Sequence, residues 1–199
     1  MKFLPTVLPE TFVIEPELLG DERGFFARTW CQQEAAAQGL HPTWVQCNIS
    51  FNRTCGTVRG MHYQAAPAAE SKLVQCTKGA LYDVILDLRP ASPTYLRWVA
   101  VELTADNRLT LYVPEGCAHG FQTLEDDTEV FYHMSAFYTP ACARGVRWND
   151  PAFGIRWPLP VADIAERDQQ YPDFVAWTGW RCDDGWNGQP GASAAAGRW

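Results

Sequence analysis

The stretch Leu81-Tyr82-Asp83-Val84-Ile85-Leu86-Asp87-Leu88 places Asp83 and Asp87 on one parity and Val84, Leu86 and Leu88 on the other. A two-residue period of this kind marks a β-strand with one polar face. The same character extends outward in both directions. Runs rich in Val, Leu, Tyr, Phe and Trp occupy residues 43–50, 57–63, 72–76, 97–103, 109–113, 118–124 and 129–134. Between them stand turn signals such as Thr54-Cys55-Gly56, Lys78-Gly79, Arg89-Pro90-Ala91-Ser92-Pro93 and Pro114-Glu115-Gly116. Short strands at roughly ten-residue spacing predict an all-β sandwich or barrel. In a barrel the polar inward face would form a binding cavity. Two short helices are expected, at 31–38 ending before Gly39 and at 164–170 following Asp163.

The 199 residues fit one domain with a sizeable core, and the apolar fraction of 47% argues against extensive disorder. The boundaries read from the sequence are a single domain over residues 1–182 and a Gly/Ala-rich tail, expected to be mobile, over 183–199. A formal net charge of −7 disfavours a nonspecific nucleic-acid binder, yet a local cluster of Arg and Lys would still hold an anionic small ligand. The first twenty residues have one Lys and are interrupted by Pro5 and Pro9, which predicts neither a signal peptide nor a membrane span. The seven cysteines form no CxxC pair and are expected to be free thiols in a reducing cytoplasm.

Four segments carry side chains suited to chemistry. Val58-Arg59-Gly60-Met61-His62-Tyr63-Gln64 sets Arg59 and His62 at opposite parity, so both reach one ligand only if Gly60 introduces a bulge. A core histidine is the competing reading there. Pro114-Glu115-Gly116-Cys117-Ala118-His119-Gly120 leaves room around His119. Phe131-Tyr132-His133-Met134, followed by Tyr138, offers a phenol, although a strand tyrosine more often fills a core. Glu22-Arg23-Gly24-Phe25-Phe26 pairs an arginine for phosphate with an aromatic for a base.

Taken in order, these segments resemble the dTDP-4-dehydrorhamnose 3,5-epimerase family. QCNISFNRTCGTVRGMHYQ (46–64) is similar to its Q-x-N-x-S…R-G-[LIM]-H-[YF]-Q signature, and ERGFF (22–26) to its D-x-R-G-x-F motif. KLVQCTKGALYDVILDLRPASPTY (72–95), VPEGCAHGFQTL (113–124) and WNDPAFGIRWP (148–158) resemble further family motifs. The match is colinear from about residue 20 to 175. It implies a cupin-like jelly roll, usually a homodimer in which an N-terminal strand crosses to the partner and completes its site. Many barrels of this type hold a metal with an HxH pair. Here Gln64 occupies the second ligand position, a poor ligand for zinc or iron, and only four histidines exist: His41, His62, His119 and His133. No metal and no cofactor is implied, since no hydride moves.

The resemblance implies a nucleoside-diphosphate 4-keto-6-deoxyhexose as substrate, with protons exchanged at C3 and C5 beside the ketone. On this pattern His62 is the base, Asp168 orients it, Tyr132 is the acid on the opposite face and Lys72 sits beside the enolate oxygen. Arg59 and His119 would hold the diphosphate, with Arg23 and Phe26 coming from the partner, and Arg167 is a further substrate-binding residue. Gln46, Asn48 and Tyr138 would contact nucleotide or sugar. Two positions depart from the family: Arg28 and Ala143 stand where Glu is common. A donor at Arg28 in place of an acceptor would suit a cytidine rather than a thymidine nucleotide, against the plain reading that it meets solvent or phosphate. The competing activities are epimerisation of C3 or C5 alone and ketoisomerisation. From other classes come a non-catalytic sugar-nucleotide binding module and a metal-dependent dioxygenase of the same fold.

Overall fold

The computed structural model describes residues 1–41 and 43–175. The tail expected at 183–199 lies outside the described residues. Two six-stranded sheets, antiparallel but for one short strand, face each other. The first runs β1 (Lys2–Pro5), β2 (Phe12–Glu15), β10 (Thr110–Val113), β7 (Lys72–Lys78), β12 (Thr128–Met134) and β5 (Gln46–Asn52). The second runs β13 (Ala143–Gly145), β6 (Thr57–Gln64), β11 (Cys117–Thr123), β8 (Ala80–Asp87) and β9 (Trp98–Thr104). The two-residue β14 (Asp163–Ile164) joins β6 in parallel. A separate hairpin is formed by β3 (Leu18–Asp21) and β4 (Gly24–Ala27).

The alternation in 81–88 resolves both faces of β8. Leu81, Asp83 and Ile85 point between the sheets, where Leu81 and Ile85 pack with Val74, Leu103, Leu111, Val113, Phe121 and Val130. Val84, Leu86 and Leu88 point the other way and are covered by Met61, Tyr63, Val146 and Phe153. The continuation of the chain beyond β13 therefore seals the outer face of the second sheet, and β8 is buried on both sides. Residues 30–44 do the same for the first sheet. There α1 (Gln32–Ala37) and its flanks lay Ala35, Leu40, Trp30 and Trp44 over Leu73, Tyr112 and Ile14. Gly39, at φ +73°, ends that helix as expected.

Asp87, at the end of β8 and of the same parity as Asp83, holds a turn. Its carboxylate accepts from Arg89 Nε (2.9 Å), Ser92 Oγ (2.5 Å) and Thr94 Oγ1 (2.7 Å), which pins the turn Arg89–Thr94. Arg89 continues to Glu10 at 2.6 Å and ties in the loop after β1. Burial would raise this carboxyl, but those donors hold it below the usual carboxylate range.

Two expectations are corrected. The helix read at 164–170 is shorter: 163–164 pair with β6, and α2 spans Glu166–Gln169. The cysteines are not all free. Cys31, Cys47, Cys55, Cys76 and Cys117 are thiols, whereas Cys142 is disulfide-bonded.

Candidate active site

Between the sheets, the packed apolar interior gives way on the β5–β6 side to a polar cleft. The register explains why. In the first sheet Tyr132 lies opposite Asn48 and Val74, and Met134 opposite Gln46 and Lys72. Directly paired residues share a face, so Gln46, Asn48, Ser50, Lys72, Tyr132 and Met134 all project inward. His133 has the other parity and stacks outside on Phe131 and Trp44.

In the second sheet His119 lies opposite His62, but the next inward residue, Phe121, pairs with Arg59. Two residues of β11 thus span three of β6. This extra residue, at Gly60 and Met61, brings Arg59 and His62 onto one face despite their opposite parity. Gly60 has φ +128°, and a Cβ on it would stand 2.5 Å from the Gly120 Cα. Glycine is required for this close approach of two backbones.

One cleft results, with a deeper part of about 430 Å³ and a wider part of about 820 Å³ sharing Arg59, His62, Lys72, Tyr132 and Arg167. His62 Nε2 is 2.7 Å from Asp168 Oδ1, and the Gly60 N–H donates to Asp168 Oδ2 at 3.2 Å. Burial alone would raise the Asp168 carboxyl, but the His62 hydrogen bond and charge, the Gly60 N–H and Arg167 hold it below its ordinary value. The carboxylate is therefore the acceptor and Nε2 carries the proton, leaving the lone pair on Nδ1. Burial pushes the His62 pKa down; Asp168 pulls it up, and Arg167 and Lys72 push it down again. The net direction is downward, so the ring is neutral near pH 7. Its side chain is 31% exposed, open on the cleft side. The Tyr171 ring flanks it, at 6.3 Å between centroids. Gly145, opposite His62 on β13, makes room for that tyrosine, since a Cβ there would fall inside the Tyr171 ring.

Across the cleft, burial raises the Tyr132 pKa, partly offset by Ser50 and Arg59. The phenol keeps its proton. Lys72 is buried with Glu70 at 3.2 Å and also reaches the His62 carbonyl at 3.3 Å. Gln64, the residue in the metal-ligand position of related barrels, donates to Glu70 at 2.7 Å and accepts from the Thr139 N–H at 2.6 Å. It therefore anchors the 135–139 loop and the Lys72–Glu70 pair. Among the described residues no group of three His, Cys, Asp or Glu side chains is placed to hold a metal ion.

Most residues singled out from the sequence meet here: His62, Tyr132, Asp168, Lys72, Arg59, His119, Arg167, Gln46, Asn48 and Tyr138 all line the cleft. Three do not. Arg23 is ion-paired with Asp21 on the exposed hairpin, Phe26 is 69% exposed beside it, and Arg28 donates to Glu34 at 2.8 Å. Ala143 lines the wider part of the cleft. Sequence reasoning missed Asp83, which is fully buried and 2.6 Å from His119 Nε2, and Glu70 and Tyr171. The in-facing parity of Asp83 was visible; its partner, on a neighbouring strand, was not.

A two-sheet β-barrel whose cleft sets a histidine–carboxylate pair against a phenol, with a buried lysine nearby, is the architecture of a cupin-like isomerase. The chain belongs to the dTDP-4-dehydrorhamnose 3,5-epimerase family, whose model matches residues 5–176. It is 43% identical over 179 residues to the dTDP-4-dehydrorhamnose 3,5-epimerase of Sinorhizobium fredii, covering 87% of this chain and 90% of that one. Its fold is similar to the enzyme of Elizabethkingia anophelis (TM-score 0.84, 38% identity, 87% and 96% covered). A comparable likeness holds for the Bacillus anthracis enzyme solved with TDP and pyrophosphate bound (TM-score 0.83, 39% identity, 87% and 99% covered).

Proposed function

We propose that the protein epimerises C3 and C5 of a dTDP-linked 4-keto-6-deoxyhexose. The observation that carries this reading is the placement of His62 and Tyr132 on opposite sheets of one cleft, with Lys72 beside it. The C4 ketone makes the adjacent C–H bonds acidic. His62 removes one proton through Nδ1, the electron pair moves into the ring ketone as an enolate, and Asp168 stabilises the imidazolium. Lys72 supplies positive charge at the enolate oxygen. Tyr132 then donates its proton to the same carbon from the other face, inverting it. Water exchange returns both groups to their starting states. Arg59, His119 and Arg167 hold the diphosphate, and Gln46, Asn48 and Tyr138 hold sugar and base.

Arg28 is engaged by Glu34 within the chain and lies off the cleft lining. Support for the nucleotide comes instead from the Bacillus anthracis relative, which was solved with TDP and pyrophosphate bound. The working unit on this reading is a cytoplasmic homodimer. The β3–β4 hairpin pairs only with itself, and Leu18, Leu19, Phe25 and Phe26 are all exposed. β5 is an open sheet edge whose outer face carries Ile49 and Phe51, 62% and 46% exposed. Exchange of the hairpin between copies would cover such an edge and bring Arg23 and Phe26 to the partner's cleft. No helix among the described residues is long and apolar enough to cross a membrane.

The test is NMR of dTDP-4-keto-6-deoxyglucose incubated with the protein in heavy water. Deuterium at both C3 and C5 with inverted products is expected; deuterium at one carbon would mark a single-position epimerase, and none at either would remove the proposal.

A further inference from the structure

Arg167 touches both members of the histidine–carboxylate pair. Its Nη2 lies 3.3 Å from His62 Nε2, and its Nε lies 3.6 Å from Asp168 Oδ1. His62 Nε2 has one position for a proton, so it cannot donate to Asp168 and accept from Arg167 together. The Asp168 contact is shorter, at 2.7 Å, and its acceptor is ionised. Arg167 is therefore held against an N–H it cannot bond, as a bare positive charge beside the ring. A cation there opposes protonation of the imidazole and draws on the same carboxylate that favours it.

The other groups facing His62 do not take this role. Lys72 on β7 also opposes protonation but has its own counter-charge in Glu70. Arg59, on β6 itself, is anchored on Asn52 Oδ1 at 2.6 Å. His119, opposite on β11, is closed with Asp83. Tyr171 presents a neutral ring, and Tyr132 a neutral phenol across the cleft. Arg167 alone among these cations shares its carboxylate with the base. Its side chain is 58% exposed, lines both parts of the cleft, and has the Tyr138 hydroxyl as a hydrogen-bonding neighbour. That exposure leaves the guanidinium accessible to an anion in the cleft.

On the epimerase reading above, we propose that Arg167 is a positioning residue that keeps His62 unprotonated in the empty cleft and releases Asp168 to act on it when a diphosphate draws the guanidinium away, so that substrate arms its own base. Binding and proton abstraction are then coupled through one side chain.

The test is a titration of His62 followed by NMR of ring-labelled histidine, assigned with His62→Asn, with and without dTDP. In Arg167→Gln without ligand the midpoint is expected to rise by about one pH unit, while Arg167→Lys, which keeps the charge, stays near the parent. Added dTDP is expected to raise the parent's midpoint and to move that of Arg167→Gln by a clearly smaller amount. A ligand-free Arg167→Gln titration that superimposes on the parent's, or equal shifts with dTDP in both, overturns the proposal. A weaker KM for Arg167→Gln is expected from a lost phosphate contact alone, so the midpoint is the deciding readout. Should the parent fail to bind dTDP or to exchange substrate protons, the proposed function falls instead, and the ligand-free comparison still reports on Arg167.

Discussion

Two histidine–aspartate pairs stand in one cleft, on residues directly opposite in neighbouring strands, and they live in different surroundings. His62–Asp168 joins β6 to the short helix α2; its imidazole is about one-third exposed, and its carboxylate also accepts a backbone N–H. His119–Asp83 lies within the second sheet, with both side chains under a tenth exposed. Asp83 Oδ2 has no hydrogen-bond partner among the described residues. Donors hold the Asp168 carboxyl below its ordinary value, whereas burial pushes that of Asp83 above it, with His119 and Lys72 pulling back. The same two residue types thus make an ionised acceptor behind an open ring in one place and a closed, desolvated pair in the other. Access and the number of donors, not residue identity, separate the two pairs.

The largest effect that would break this comparison is expected for His62→Ala. Loss of the general base should cut deuterium incorporation by about 10³-fold while dTDP binding, followed by calorimetry, stays within a few-fold. Equal loss on His119→Ala would make the two pairs functionally equivalent and defeat the distinction. Asp168→Asn should come next, at roughly 10²-fold in kcat, because an amide no longer fixes the ring's tautomer or offsets the imidazolium charge. Tyr132→Phe separates the two faces of the sugar: inversion should fall by about 10²-fold, while exchange with retention, catalysed from the His62 side, persists. His119→Asn should cost less than about tenfold in kcat/KM, since its Nε2 is already committed to Asp83.

The smallest effect is on stability against pH, and its sign differs between the pairs. Asp168 titrates lower when folded, so its contribution is present above about pH 4 and is lost as pH falls through the folded value. Asp83 titrates higher when folded, so stability falls as pH rises from about 4 through the folded value. Urea unfolding between pH 3 and 7 should show Asp168→Asn flattening the acid-side loss and Asp83→Asn flattening the opposite slope. Identical curves for the two variants would show that the surroundings do not divide them.

The strands were legible because their alternation is strong: eight of the expected runs correspond to β5 through β12, with ends shifted by a few residues. The N-terminal strands β1 and β2 were not read, since Pro5, Pro9 and short length hide their period. His62, Tyr132 and Lys72 were legible through ordered motifs, and the fold brings them to one cleft. Their supporting groups were less so, because Asp83, Glu70 and Tyr171 act on partners far away in sequence or on another strand. The parity conflict between Arg59 and His62 was readable as a demand for a bulge at Gly60, and the close approach to Gly120 meets it. Arg23 and Phe26 illustrate the converse: a motif names them, yet within one chain they stand on an exposed hairpin outside the two main sheets.

Asp168 reaches His62 only because β14 runs alongside β6 and delivers α2 to the Gly60 amide. More than a hundred residues separate the imidazole from its carboxylate. A ribosome building this protein therefore delivers the strands of both sheets up to β13 before the segment that carries Asp168. Until that late segment docks, the nascent chain has the walls of the cleft but no carboxylate behind the His62 ring.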